Sequence, residues 1–301
     1  MKDVIIIGSG PAGLAAAVYA CRAGLSVQIA EMLYPGGQMA LTSEVDNYPG
    51  VPDTLGWDLA ERMREHAHRL GAEFVQTQVQ RIVKTGTGFE VTTDNGVLQV
   101  KSVIAAMGAQ RKKLGIPGEE AFAGRGVSYC ATCDGGFFRG KDVVVIGGGD
   151  AALEDAAYLS AVCRSVTLVH RRESFRADPV LVEQLKKCAN VRVLAPYAPV
   201  EIIGGDRVTE VMLAQRDTGE QLRIPTDGVF VAVGNQPSTQ LLQGLVTLDE
   251  AGYVPAGEDC RTECEGLFVA GDLRRKPLYQ IVTAAADGAV AAKAAAEYLR
   301  G

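Results

Sequence analysis

Residues 4–13 read VIIIGSGPAG. A short apolar run stopped by glycine has the length of a buried strand, and the small-residue stretch after it, residues 14–23, suits a closely packed helix. The junction Gly8-x-Gly10-x-x-Gly13 has a physical logic. Gly8 permits the tight turn, Gly10 lets backbone approach a pyrophosphate, and Gly13 lets helix and strand pack closely. The helix N-terminus then offers unpaired N–H groups and the positive end of its dipole to phosphates. A second strand, residues 26–31 (SVQIAE), ends in Glu31, which can accept hydrogen bonds from adenosine ribose hydroxyls.

Working outward, the pattern recurs. Residues 143–152 read VVVIGGGDAA, a helical stretch follows at 153–162, and a strand at 165–170 reads SVTLVH. Gly8 to Glu31 and Gly147 to His170 both span 23 residues. Each copy is a strand, glycine turn, helix and strand, which demands a parallel pair with a right-handed crossover. Each copy also closes alike, on 103–108 (VIAAMG) and 229–234 (VFVAVG). Alternation at 89–93 and 208–216 predicts antiparallel strands. A third strand at 267–270 runs into Gly271-Asp272, and an alanine-rich helix at about 281–299 ends the sequence. The reading is an α/β chain of two Rossmann-like nucleotide-binding domains, the second inserted in the first. Residues 1–112 and 241–301 form one domain and 113–240 the other, with crossings at 114–117 and 234–238.

The second copy, Gly147-x-Gly149-x-x-Ala152, differs at its strand end. His170, Arg171 and Arg172 stand there, with Arg176 one short loop on. A carboxylate at this place welcomes ribose hydroxyls and repels a 2′-phosphate, whereas an arginine cluster does the opposite. The first site therefore suits the adenosine of FAD or NAD, and the second prefers NADPH. Asp272, after a strand and before a helix, is placed to meet a polyol hydroxyl, which suits a long cofactor such as FAD.

Cys130-Ala-Thr-Cys133-Asp134 carries the chemistry. Two residues between cysteines allow a disulfide at a turn or helix start, where N–H dipoles favour a thiolate. Asp134 can hold or release the proton that thiol–disulfide exchange needs. The bland alternative is half of a structural zinc site completed by Cys260 and Cys264, but two nucleotide units need a redox pair more than a staple, so no metal is expected. His66 and His68 lie two apart on a helix and do not share a face. Cys21, Cys163 and Cys188 read as small helix residues.

The totals narrow the function classes. With 301 residues, 47% hydrophobic and 22% charged, the chain has material for about two ordinary cores. A net charge of −6 argues against nucleic acid or an anionic membrane as partner. No apolar run reaches the roughly 20 residues of a membrane span. The run at 4–7 is too short for a signal-peptide core, so the reducing cytoplasm is expected. There, a close cysteine pair among seven cysteines is catalytic or metal-binding rather than structural.

Seven segments carry a family resemblance: GSGPAGLAAAVYACRAGL (8–25), PGGQM (35–39), NYPG (47–50), CATCDG (130–135), GGGDAALEDA (147–156), HRRESFRA (170–177) and GLFVAGD (266–272). Over essentially its whole length the chain resembles the low-molecular-weight, bacterial-type thioredoxin reductases. The resemblance implies that Gly8, Gly10, Pro11, Ala12, Gly13, Glu31, Gly37, Gln38, Asn47, Gly271, Asp272 and Gln280 contact FAD. It implies that Gly149, Asp150, His170, Arg171, Arg172 and Arg176 contact NADPH. Cys130 and Cys133 would be the redox disulfide, Cys133 the nearer to the flavin, with Asp134 as acid/base and thioredoxin as the reduced partner. Members of the family are homodimers that rotate one domain against the other. Met107, Ala151 and Tyr279 stand where the family often has Thr, Ser and Arg. Two rival readings keep parts of this pattern: a related flavoprotein fed by a deazaflavin or ferredoxin or acting as a small-dithiol oxidase, and a non-catalytic nucleotide sensor.

Overall fold

A computed structural model of the chain describes residues 1–42 and 44–301. The chain divides into two compact units, Met1–Gln110 with Gln236–Gly301, and Arg111–Asn235. The first crossing falls a few residues before the segment read at 114–117, and the second falls inside the segment read at 234–238. The reason is local: they run through two short strands, Ala109–Arg111 and Asn235–Pro237, that pair with each other instead of forming loops.

In the first unit, the strand Lys2–Ile7 pairs in parallel with Val27–Glu31 on one side and with Gly96–Ala105 on the other. Glu73–Gln76 extends the parallel edge beyond Val27–Glu31. Gly96–Ala105 is long enough to serve two neighbours along its other edge. Its first half pairs antiparallel with Gly88–Thr93, which pairs with Val79–Thr85, and its second half pairs in parallel with Leu267–Val269. The alternation read at 89–93 thus marks an antiparallel strand. Strand residues alternate between two cores: Val4 and Ile6 pack on one face, Ile5 and Ile7 on the other. The first face is covered by two helices, Pro11–Arg22 and Ile281–Arg300. They approach to backbone contact, for a Cβ added at Gly288 would lie 2.0 Å from the Ala12 carbonyl oxygen.

The second unit repeats the scheme. Its sheet runs Val191–Leu194, Ser165–Val169, Asp142–Ile146, Gly228–Val231 and Val127–Ser128, all parallel. The constant spacing in the sequence becomes a constant register: Val4 lies opposite Val27, and Val143 opposite Val166, 23 residues apart in both copies. The helix Asp150–Ser160 covers one face, and a three-stranded antiparallel sheet, Tyr197–Gly204, Val208–Gln215 and Gln221–Pro225, belongs to the same unit. Among the described residues no helix is long and apolar enough to cross a membrane.

Candidate active site

Cys130 and Cys133 form a disulfide, with their Cα atoms 5.3 Å apart. Cys130 caps a four-residue helical turn, Ala131–Asp134, and its Sγ accepts the Cys133 backbone N–H at 3.2 Å. A backbone N–H aimed at the sulfur favours the thiolate form of Cys130. Ser128, at the end of its strand, donates its hydroxyl to Asp134 Oδ2 at 2.6 Å and accepts the Cys130 N–H at 3.1 Å. One serine thereby fixes the carboxylate and the cysteine together. Gly135 lets this turn lie on the helix Asp150–Ser160, since a Cβ there would be 2.9 Å from the Tyr158 ring. One turn earlier on that helix, burial pushes the Asp155 carboxyl up to about 7, helped by Glu154 and opposed by Arg111.

Both glycine turns have the same anatomy. A Cβ on Gly8 would meet Ala106 O at 2.5 Å, and one on Gly147 would meet Ala232 O at 2.3 Å, so the closing strand abuts each turn. A Cβ on Gly13 would lie 1.9 Å from Gly8 O. Gly10 and Gly149, in contrast, face open space within 4 Å, immediately before helices whose first N–H groups have no helical partner. This cradle, closed behind and open at the middle glycine, fits a dinucleotide pyrophosphate.

The strand-end residues differ as the sequence does. Glu31 Oε2 accepts the Ser9 N–H at 2.8 Å and the Ser9 hydroxyl at 2.7 Å, and Oε1 accepts the Leu33 N–H at 3.1 Å. A carboxylate has about four lone-pair positions, so one remains for a ribose hydroxyl. His170 is 6% exposed, packed behind its glycine turn, while Arg171, Arg172 and Arg176 are exposed and make no ion pair among the described residues. The four residues that sequence reading grouped thus differ in exposure. Asp150 begins its helix and accepts the Asp178 N–H at 2.8 Å.

The remaining first-unit residues fall into small groups. Asn47 donates to Gln280 Oε1 at 3.0 Å, and Gln280 forms a capping box with Thr283. Gln38 donates to Ala109 O, and a Cβ on Gly37 would be 3.2 Å from Gly10 Cα. Pro11 and Ala12 open the first helix, and a Cβ on Gly271 would be 2.9 Å from Ala12 Cβ. Asp272 lies 3.6 Å from Lys276 Nζ. Sequence reading missed what holds this region: buried Asp287 accepts the Gly271 N–H at 3.0 Å, Arg274 at 2.8 Å and Lys276 at 3.0 Å. The ion pair with Asp287 raises the Arg274 pKa further. Tyr279 is half-buried, 5.6 Å from the Tyr253 ring, with Lys276 over its face.

Cys260 packs in the core with Val4 and Ile6, whereas Cys264 packs against the core of Ile5 and Ile7. They lie on opposite faces of one sheet and do not converge, and no metal-binding cluster exists among the described residues. Burial pushes the Cys260 thiol up to about 12 and Cys163 up to about 11. His66 and His68 are exposed.

One chain that carries a Cys-x-x-Cys disulfide and two turns that fit a dinucleotide pyrophosphate has the parts of a nucleotide-dependent disulfide oxidoreductase. Residues 2–289 match the family described as pyridine nucleotide-disulphide oxidoreductase. A thioredoxin reductase of Listeria innocua is 43% identical over 298 residues, covering 99% of this chain and 93% of the relative. The crystal structure of thioredoxin reductase from Streptococcus pyogenes is 42% identical with a TM-score of 0.94, covering 100% of this chain and 98% of that one. A ferredoxin-flavin thioredoxin reductase from Clostridium acetobutylicum is 32% identical with a TM-score of 0.54, covering 99% and 98%. The chain belongs to the pyridine nucleotide-disulphide oxidoreductase family, on its bacterial-type thioredoxin reductase branch.

Proposed function

We propose that the chain is an NADPH-dependent thioredoxin-disulfide reductase, a cytoplasmic homodimer with FAD in the first unit and NADPH in the second. The observation that carries this reading is the Cys130–Cys133 disulfide on a turn where Ser128 binds both Asp134 and the Cys130 N–H. Bound FAD supplies the two-electron link between the nicotinamide and this disulfide. Gly10 and Glu31 hold the adenosine half of FAD, and Asp272 and the Gln280 helix start serve its middle and ring. Gly37, Gln38 and Asn47 complete that site. Gly149 and Asp150 serve the NADPH pyrophosphate, and the three arginines its 2′-phosphate.

Reduction of the Cys130–Cys133 bond takes two electrons and leaves one thiolate and one thiol. Cys130, capped by the Cys133 N–H, is the better-held thiolate and attacks the disulfide of thioredoxin. Cys133 then displaces the mixed disulfide, which restores the Cys130–Cys133 bond and releases dithiol thioredoxin. Two thioredoxin sulfurs depart and each takes up a proton, one from the Cys133 thiol and one from water, with Asp134 as the relay. Thioredoxin's potential, near about −270 mV, suits a donor as reducing as NADPH.

The test is an anaerobic titration with NADPH and then NADH, followed by a thioredoxin-coupled assay. NADPH bleaches the flavin and drives turnover, NADH does so poorly, and Cys133→Ser stops turnover while flavin bleaching persists. Full turnover by Cys133→Ser sinks the mechanism. The ferredoxin-flavin relative gives the second reading its observation, and a flavin that NADPH fails to bleach favours it.

A further inference from the structure

The two glycine turns are fastened to their strand ends in different ways. In the first copy the middle residue of Gly8-Ser9-Gly10 is tied to Glu31 by two hydrogen bonds. In the second the middle residue is Gly148, and the strand-end residue is His170. A Cβ added to Gly148 would stand 2.0 Å from His170 Nδ1 and 2.2 Å from its Cε1. The imidazole occupies the space that a side chain at 148 would need.

The same ring reaches the arginine loop. His170 Nε2 lies 3.0 Å from the Ser174 carbonyl oxygen, which can only accept, so Nε2 carries the proton. The Phe175 ring stacks on it at 5.4 Å and 22°. The Arg176 N–H donates to Gly148 O at 2.9 Å, closing the loop back onto the turn. Burial, with Arg172, Arg171 and Arg176 close by, lowers the His170 pKa below the usual imidazole value even against the bond to Ser174. The ring is therefore neutral at pH 7 and behind the turn, while the three guanidinium groups are in solvent.

We propose that His170 is a positioning residue, a buried strut that locks the arginine loop to the glycine turn, so that the arginines and not His170 meet the 2′-phosphate. The inference deepens the NADPH reading and rests on it. It also assigns a role to Gly148: residues 148 and 170 form a matched pair, Gly with His where a phosphate is received, as Ser9 goes with Glu31 where a ribose is received. A histidine that only bound phosphate would affect phosphorylated nucleotides alone. A strut holds both turns, so its loss loosens the pyrophosphate cradle as well.

Calorimetric titration of the whole chain with adenosine 2′,5′-bisphosphate, and separately with NADH, tests this. If the unaltered protein does not bind the bisphosphate, the nucleotide reading falls and the strut with it; NADH, held more weakly for want of a 2′-phosphate, is titrated up to about millimolar concentration. If it binds, His170→Ala weakens both probes by about tenfold or more. Loss of the bisphosphate with NADH binding unchanged makes His170 a phosphate ligand and overturns the proposal, as does no change in either. Gly148→Ser alone, which drives a side chain into the ring, weakens both probes too. Gly148→Ser combined with His170→Glu transplants the first copy's fastening. It returns NADH binding to within about threefold of the unaltered protein while the bisphosphate stays weak. A double variant no better than the poorer single variant overturns the pairing. Thermal unfolding reports on folding, and if His170→Ala does not fold, the double variant decides.

Discussion

At the scale of single residues, the site is held by groups that the sequence did not mark. Ser128, Ser9, Gly148 and Asp287 each fasten a residue that the sequence did advertise. Asp155, on the helix beneath the disulfide turn, adds a behaviour readable in solution. Its carboxyl is pushed from the ordinary carboxylate range up to about 7, first by burial and then by Glu154. The folded chain therefore holds a proton that the unfolded chain gives up between pH 4 and 7, and folding stability falls as pH rises through that window. Each tenfold in proton affinity is worth about 1.4 kcal/mol. Asp155→Asn, which needs no ionisation, should raise stability at pH 8 by at least about 1.4 kcal/mol and leave it unchanged at pH 4. Urea unfolding at pH 4, 6 and 8 checks this, and an equal effect at every pH refutes it. None of these residues was legible beforehand, because polar side chains that bond locally leave no periodicity. The Ser9–Gly148 difference was in plain view in the repeat, but its meaning needed the distance to His170.

At the scale of elements, the sequence was read well where spacing carries the information. The constant interval from glycine turn to strand end became an identical register in both copies. The alternation at 208–216 became the strand Val208–Gln215. The edges were read less well, since the crossings are themselves short strands and lie outside any periodic pattern. A close helix–helix contact was also silent: Gly288 sits in an alanine-rich helix, where glycine costs about 1 kcal/mol of helix propensity. Its reason is the Ala12 carbonyl, 2.0 Å from where a Cβ would stand. Gly288→Ala should force the helices Pro11–Arg22 and Ile281–Arg300 apart and destabilise the chain by about 1–3 kcal/mol. Because Gly10 and Gly13 belong to the displaced helix and its cap, the flavin proposed to bind there should also be lost more readily. Thermal unfolding and the flavin retained after gel filtration measure the two effects, and unchanged retention would refute the link between them.

At the scale of the whole molecule, the two units differ in how the chain supplies them. Arg111–Asn235 is one uninterrupted stretch with two cores of its own, one on each side of its sheet. Met1–Gln110 lacks the strand Leu267–Val269 and the helix that covers Ala12, Ala16 and Ala20. Residues 111–235 produced alone should therefore unfold cooperatively and bind adenosine 2′,5′-bisphosphate, whereas residues 1–110 alone should not fold. A residue 111–235 fragment without a cooperative transition by circular dichroism would count against this division. One further property belongs to the whole molecule. A protein that exchanges disulfides continually meets oxidised partners, and a second reachable pair of its own thiols would become a dead-end crosslink. The sheet between Cys260 and Cys264 acts as an insulating wall, and burial keeps both thiols protonated. The fold thus spares the catalyst from poisoning itself with the chemistry it performs.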